Sequence, residues 1–232
     1  MILLPDNAQR AKNSLIAFYI LGATQIVSTV STIFQYNLLQ KILKGNYTAD
    51  EAASNDLRQQ IIAFFNAAMY IVCVVLFIMW FRRAYNNLNL SGREYTKFGE
   101  GWAAGAWFVP FLNLGRPYLI MKEIWEKTQQ ATENLISIKS NKIVGWWWVL
   151  WIIYNVGSYI TLKLLSIGEE IDGLLKSTIA ALVFNFFEMA ALILLIIIIK
   201  NVAVFERNLQ HSLLNEVDVD GEDKLNFIVN EH

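Results

Sequence analysis

The chain is poor in the residues that build catalytic and metal centres: among 232 residues there is one cysteine, Cys73, and two histidines, His211 and His232. A lone cysteine closes no intrachain disulfide, leaves the redox compartment open, and with both histidines near the C-terminus rules out a Cys/His metal framework. Proline is scarce, at three residues. Charge is thin as well: Asp, Glu, Lys and Arg make up 17% of the chain, against roughly a quarter in soluble domains. Nineteen basic and twenty acidic residues leave a formal charge of -1, so no basic excess points to nucleic acid. A Walker loop, a dinucleotide fingerprint, an HExxH pair and a nucleophile elbow are all missing, and no cofactor is implied. There is no internal repeat, which weighs against an inverted-repeat transporter.

What is abundant is apolar surface, at 55% of residues. Four stretches, about 13–40, 61–81, 143–162 and 177–199, carry one charge or none, and each is near or above the ~20 helical residues that cross ~30 Å of hydrocarbon. A buried helix of a soluble protein keeps a charged outer face, whereas Leu192 to Ile199 is apolar at eight successive positions. The expected fold is therefore all-α, an integral membrane four-helix bundle. The first stretch follows Pro5 to Lys12, lacks a small-residue cleavage pattern and exceeds a signal-peptide core, so it reads as retained.

Lys and Arg distribute unevenly about these four spans. Lys41, Lys44, Arg58, Lys163 and Lys176 fall on one side, and the other fourteen of the nineteen fall on the side holding both termini. The positive-inside rule places both termini in the cytoplasm. All eight tryptophans lie between Trp80 and Trp151, where Trp146, Trp147, Trp148 and Trp151 would anchor the third span at the inner headgroups.

The segment from Arg82 to Lys142 holds nine basic and five acidic residues. Within it, 101–115 is uncharged, too short to span and broken by Pro110, which makes it interfacial or re-entrant. Pro117 can open a helix, since its missing N–H is an unpaired donor of a first turn in any case. At 100° per residue over 117–138, Tyr118, Ile120, Met121, Ile124, Trp125, Ala131, Leu135 and Ile136 share one side, with Lys122, Glu123, Glu126, Lys127, Gln129, Gln130 and Glu133 on the other. This predicts a cytoplasmic amphipathic helix, lying in the inner leaflet or packed beneath the bundle.

Trp80-Phe81-Arg82-Arg83-Ala84-Tyr85-Asn86-Asn87-Leu88, then the run from Gly101 through Trp102, Gly105, Trp107, Pro110, Asn113, Leu114, Arg116 and Pro117 to Tyr118, then Met121, Glu123 and Trp125, resemble the signature of a bacterial membrane family catalogued only as a domain of unknown function. The motif covers about Trp80 to Trp125, and the other spans agree in hydropathy and order. The chain departs at Glu100, where a turn-forming proline is common, and at Gly115, where a bulky aromatic often stands. The resemblance implies a polytopic bacterial membrane protein and supplies no activity, substrate or catalytic residue; the location expected is the bacterial cytoplasmic (inner) membrane.

Two sets of residues are candidates for function. Arg116 follows an apolar stretch at headgroup depth, where a guanidinium can hold a lipid phosphate bidentately. With it go Arg82, Arg83, Trp102, Trp107, Pro110, Asn113, Tyr118 and Trp125 as a candidate lipid or partner site. The plainer reading makes Arg82 and Arg83 positive-inside stop signals and pairs Arg116 with Glu123 or a backbone carbonyl. The second set surrounds Glu188, the one charged residue near the middle of a span, where an ionised carboxylate costs roughly 3 kcal/mol. Gln25, Ser28, Asn66, Tyr70, Asn155, Tyr159 and Asn185 fall at compatible depth. They form either a polar cavity opening away from the cytoplasm or a hydrogen-bonded cluster that fastens the helices.

Remaining signals are weak. Glu216 to Gly221 imitates a calcium loop but offers Phe227 where a bidentate Glu belongs. Asn46-Tyr47-Thr48 fits a glycosylation acceptor and equally a polar turn. Residues 210–232 read as an acidic, disordered cytoplasmic tail after a single membrane domain, 1–209. The function expected is a non-catalytic scaffold or accessory subunit, with membrane lipids and other membrane proteins, or further copies of itself, as partners. The alternative is a small carrier or channel-like protein centred on Glu188.

Overall fold

In the computed structural model, which describes residues 4–132, 138–167 and 170–230, six α-helices follow one another: α1 Ala8–Leu43, α2 Ala49–Leu90, α3 Gly101–Gly105, α4 Arg116–Gln130, α5 Lys142–Ile167 and α6 Glu170–Asn230. No strand occurs among the described residues. Four helices, α1, α2, α5 and α6, are long and apolar enough to cross a membrane. At 1.5 Å per residue, α2 with its 42 residues is about 63 Å long, twice the ~30 Å of hydrocarbon, so half of it extends beyond any span.

The helix boundaries follow local chemistry. Gly45, with φ of +69°, takes the left-handed conformation that ends α1, and Asn46 donates back to the Lys41 carbonyl at 3.0 Å. Thr48 and Glu51 then form a reciprocal capping box: the Glu51 N–H donates to Thr48 Oγ1 and the Thr48 N–H donates to Glu51 Oε2, both at 3.1 Å. Of the two readings of Asn46-Tyr47-Thr48, this gives the polar turn a definite job as the start of α2.

The chain divides into two compact units. One comprises 14–76 and 145–196, the apolar middles of the long helices. Its helices meet through small residues and a few polar pairs: a Cβ placed on Gly157 would stand 2.1 Å from the Phe184 ring, an approach of α5 to α6 that glycine permits. Gln35 donates to Thr178 Oγ1 at 2.9 Å, and the Arg58 guanidinium donates to Ser31 Oγ at 2.9 Å.

The other unit comprises 1–13, 77–144 and 197–232. Its core is aromatic: Trp80, Phe81, Tyr85 and Leu88 on α2 are buried with Ile120, Met121, Ile124 and Trp125 on α4, and with Ile198, Ile199, Val202, Phe205 and Leu209 on α6. The Trp125 and Phe205 rings meet edge to face, 5.1 Å apart. Ile120, Met121, Ile124 and Trp125 of the apolar row of α4 are thus covered within their own unit. Two residues assigned to the polar side, Glu123 and Gln129, are buried as well, so the polar half of the 100° projection does not hold as drawn. Glu133, Leu135 and Ile136 lie outside the described residues. Helix α6 continues to Asn230, through the acidic stretch where the sequence suggested disorder.

Candidate functional site

Between α2 and α4 the chain builds a platform with an apolar tip. Its base is Glu123, whose carboxylate accepts the Tyr85 hydroxyl at 2.6 Å and the Lys97 N–H at 3.2 Å, with Lys127 Nζ at 3.5 Å. Tyr85 Oη in turn accepts the Phe98 N–H at 3.1 Å. One buried carboxylate thereby ties α2, α4 and the 91–100 loop together, which explains why an acid stands on the covered side of α4. Arg93 adds a second tie, donating to the Ala131 carbonyl at 2.6 Å and to Ser212 at 2.9 Å, and pairing with Glu216.

On this base, Arg116 opens α4 and lays its guanidinium over two rings, 4.1 Å from the Trp102 centroid and 5.0 Å from that of Phe98. Glu123 is occupied by Tyr85, Lys97 and Lys127, so Arg116 answers to aromatic faces rather than to the carboxylate the sequence had offered it. Arg82 pairs with Glu100 at 2.9 Å on the surface, close to the plain reading of that residue, and Arg83 is half-buried. Trp107 packs edge-on against Phe77, 5.4 Å away, and Phe81, 6.0 Å away. Trp125 is buried, its Nε1 donating to the Lys139 carbonyl at 3.0 Å. Pro110 is exposed, and Asn113 and Tyr118 are half-buried.

The tip is the turn at Pro110-Phe111-Leu112. The Leu112 N–H donates to the Pro110 carbonyl at 2.8 Å, a three-residue turn that leaves Phe111 at φ of +65° and ψ of −38°. That conformation is strained for a residue with a side chain, and it persists where surroundings over-determine it. Here the turn presents Phe111 at 87% exposure and Phe108 at 71%, with Leu114 and Val109 also exposed. The turn thus sets several large apolar side chains on the surface of this unit.

The second candidate set is brought together in part. Gln25 Nε2 donates to Glu188 Oε1 at 2.8 Å, and Tyr154 sits within hydrogen-bond reach of the same carboxylate. Asn155 instead donates to the Trp151 carbonyl one turn back on its own helix, at 2.7 Å, and Tyr159 faces outward. Tyr70 is exposed, and Ser28, Asn66 and Asn185 are half-buried. Tyr154 was missed because depth and helical phase alone favoured Asn155 and Tyr159, one residue off in register. No group of three metal-ligating side chains occurs among the described residues.

Sequence reasoning also missed a buried polar cluster in the unit with the platform. Glu206 on α6 accepts Asn7 Nδ2 at 3.0 Å and Asn87 Nδ2 at 2.9 Å. Asn87 belongs to the Ala84-Tyr85-Asn86-Asn87-Leu88 run, so an amide inside that motif was the available signal. Glu206 lies beyond the fourth apolar stretch, 177–199, where helical phase was not considered.

A family model described as Domain of unknown function (DUF4328) matches residues 44–203. The chain belongs to that family. The match runs from just after α1 into α6, and so takes in Glu123, Arg116, the tip and Glu188, while Asn7, Glu206, Ser212 and Glu216 fall outside it. No curated protein and no solved structure matches the chain.

Proposed function

We propose that the protein is a multi-pass protein of the bacterial cytoplasmic membrane, both termini inside, that works without chemistry of its own. Its four apolar helices would form a bundle, and the platform between α2 and α5 would act as a scaffold or accessory-subunit surface that holds lipid and partner membrane proteins. The observation carrying this reading is the strained turn that displays Phe111 and Phe108, five to eight residues before a guanidinium resting on Trp102 and Phe98. Apolar side chains at such a tip enter the acyl boundary, and an Arg held by aromatic rings at headgroup level keeps its N–H groups for phosphate oxygens.

The test is depth. With Cys73→Ala as background, Phe111→Cys labelled with an environment-sensitive fluorophore and reconstituted in vesicles of brominated anionic phospholipid should be strongly quenched, and Arg116→Ala should lose co-eluting anionic lipid in native mass spectrometry. A label reporting bulk water, with lipid retention unchanged in Arg116→Ala, would sink the reading.

The carrier alternative rests on a different observation: among the described residues, Asn66 Oδ1 is buried without a hydrogen-bond partner, and the Glu188 carboxylate is met by the uncharged Gln25 and Tyr154. Under that reading Glu188→Gln abolishes ion- or proton-coupled flux, whereas a scaffold keeps its partners and its lipid.

A further inference from the structure

A cavity of about 470 Å³ opens between the end of α1 and the start of α2, within the unit that comprises 14–76 and 145–196. Phe34, Leu38 and Lys41 line it from α1, and Asp50, Glu51 and Arg58 from α2. On each helix the lining residues stand at the edge of an apolar run, 13–40 or 61–81, the position at which a spanning helix leaves hydrocarbon.

Neutral groups alone hold Arg58 in this cavity. Its Nε donates to Ser31 Oγ at 2.9 Å and its Nη2 to Asn55 Oδ1 at 2.6 Å, with the Ser31 carbonyl 3.5 Å from Nη2 and the Phe34 ring centroid 5.6 Å from the guanidinium carbon. Ser31 and Asn55 are buried, at 3% and 6% exposure, so the arginine is fixed in place before any ligand arrives. Three carboxylates lie within about two turns of it on α2, and none is its partner. Glu51 is taken by Lys41 at 3.0 Å and by the Thr48 N–H at 3.1 Å, and Asp56 accepts Asn55 Nδ2 at 3.5 Å. Asp50 has neither hydrogen bond nor ion pair among the described residues. Arg58 Nη1 likewise keeps two N–H groups without an acceptor among them, and it retains accessible surface. The cavity thus presents one uncompensated cation and one uncompensated anion beside an apolar wall, of which Phe34 is 56% exposed.

We propose that this cavity binds a phosphoethanolamine group, a phosphate ester that carries its own ammonium. Arg58 Nη1 donates to a phosphate oxygen, and Asp50 accepts from the ammonium. A simple anion would answer Arg58 and leave Asp50 repelling it, and a simple cation would meet the reverse conflict. Along α2 the two residues are eight positions, about 12 Å, apart, and Arg58 reaches back one turn to Asn55, which closes about 5 Å of that. The remaining span suits a phosphate and an ammonium joined by two carbons, and exceeds the one-carbon separation of an α-amino acid. Phe34 and Leu38 continue the site along the apolar run of α1, where an acyl chain would lie.

The group has two sources, an ethanolamine phospholipid and a soluble phosphoethanolamine ester, and only the first rests on the multi-pass reading above. Native mass spectrometry of the full chain released from detergent, at fixed ionic strength, would use a short-chain phosphatidylethanolamine as the probe. The phosphatidylcholine and phosphatidylglycerol of the same chains are the controls, and glycerophosphoethanolamine supplies the headgroup without acyl chains. Saturable binding of the phosphatidylethanolamine is expected, ahead of both controls. Arg58→Gln should weaken it at least about tenfold, since a charged donor is lost. Asp50→Asn, at an exposed position, should abolish the preference and let the phosphatidylglycerol bind as well as the phosphatidylethanolamine. A merely structural Asp50 would move both lipids alike, so this ratio decides the matter even should Arg58→Gln fail to fold. Phosphatidylethanolamine binding without glycerophosphoethanolamine binding assigns the lipid source, and equal binding of the two assigns the soluble ester. Both are read in detergent, independently of the depth that Phe111→Cys reports. The proposal is overturned if neither probe binds saturably, if either control lipid binds the parent as well as the phosphatidylethanolamine does, or if both variants bind and select like the parent.

Discussion

The two units spend their large side chains in opposite ways. In the spanning unit, Phe64 is 76% exposed, and Phe65, Ile71, Val156, Val183 and Phe186 are likewise open. In the unit that holds the termini, Trp80, Phe81, Tyr85, Ile120 and Ile124 are fully covered, and a carboxylate on each of α4 and α6 is buried with them. Water would penalise the first arrangement at about 25 cal/mol per Å² of apolar surface left open, whereas hydrocarbon does not. The difference teaches that one chain is folded for two solvents: one region needs little interior because lipid supplies it, and the other builds a dense polar and aromatic interior of its own.

The comparison can be broken by substitution. Glu123→Ala should have the largest effect, because it leaves the Tyr85 hydroxyl and the Lys97 N–H without their acceptor and Lys127 without its carboxylate. A loss of about 3–5 kcal/mol is expected, read as a steep drop in the melting temperature of the detergent-solubilised protein. Next comes a matched pair of truncations. Ile124→Ala, in the covered row of α4, should cost about 3 kcal/mol through the cavity it leaves. Phe64→Ala removes a larger side chain yet should cost under about 1 kcal/mol in a bilayer, since lipid refills the space. Equal losses for the pair would mean that Phe64 is covered by protein, and the contrast between the units would fail.

How much of this was legible in the sequence depended on the range of the interaction. Charge-free runs such as Leu192 to Ile199 showed the long helices directly, because a single residue's transfer preference needs no partner. The motif Trp80 to Leu88 and the Gly101 to Tyr118 run pointed to the family whose model matches the chain. What could not be read was pairing. Glu123 looked solvated by helical phase, yet its acceptors are used by Tyr85, 38 positions away, and by Lys97. Glu206 likewise gave no sign of burial from its own neighbours, and only the approach of Asn7, 199 positions away, shows it as interior. A helical projection assigns faces from one helix alone, so it errs where a neighbour brings the donors.

The account stands on four crossings with both ends on the inner side, and impermeant maleimide labelling of intact cells tests this most directly. In a Cys73→Ala background, Lys44→Cys, at the exposed turn between α1 and α2, should label from outside. Tyr95→Cys, in the exposed loop after α2, should label only once the membrane is opened. The reverse pattern, or labelling of both from one side, would contradict the account.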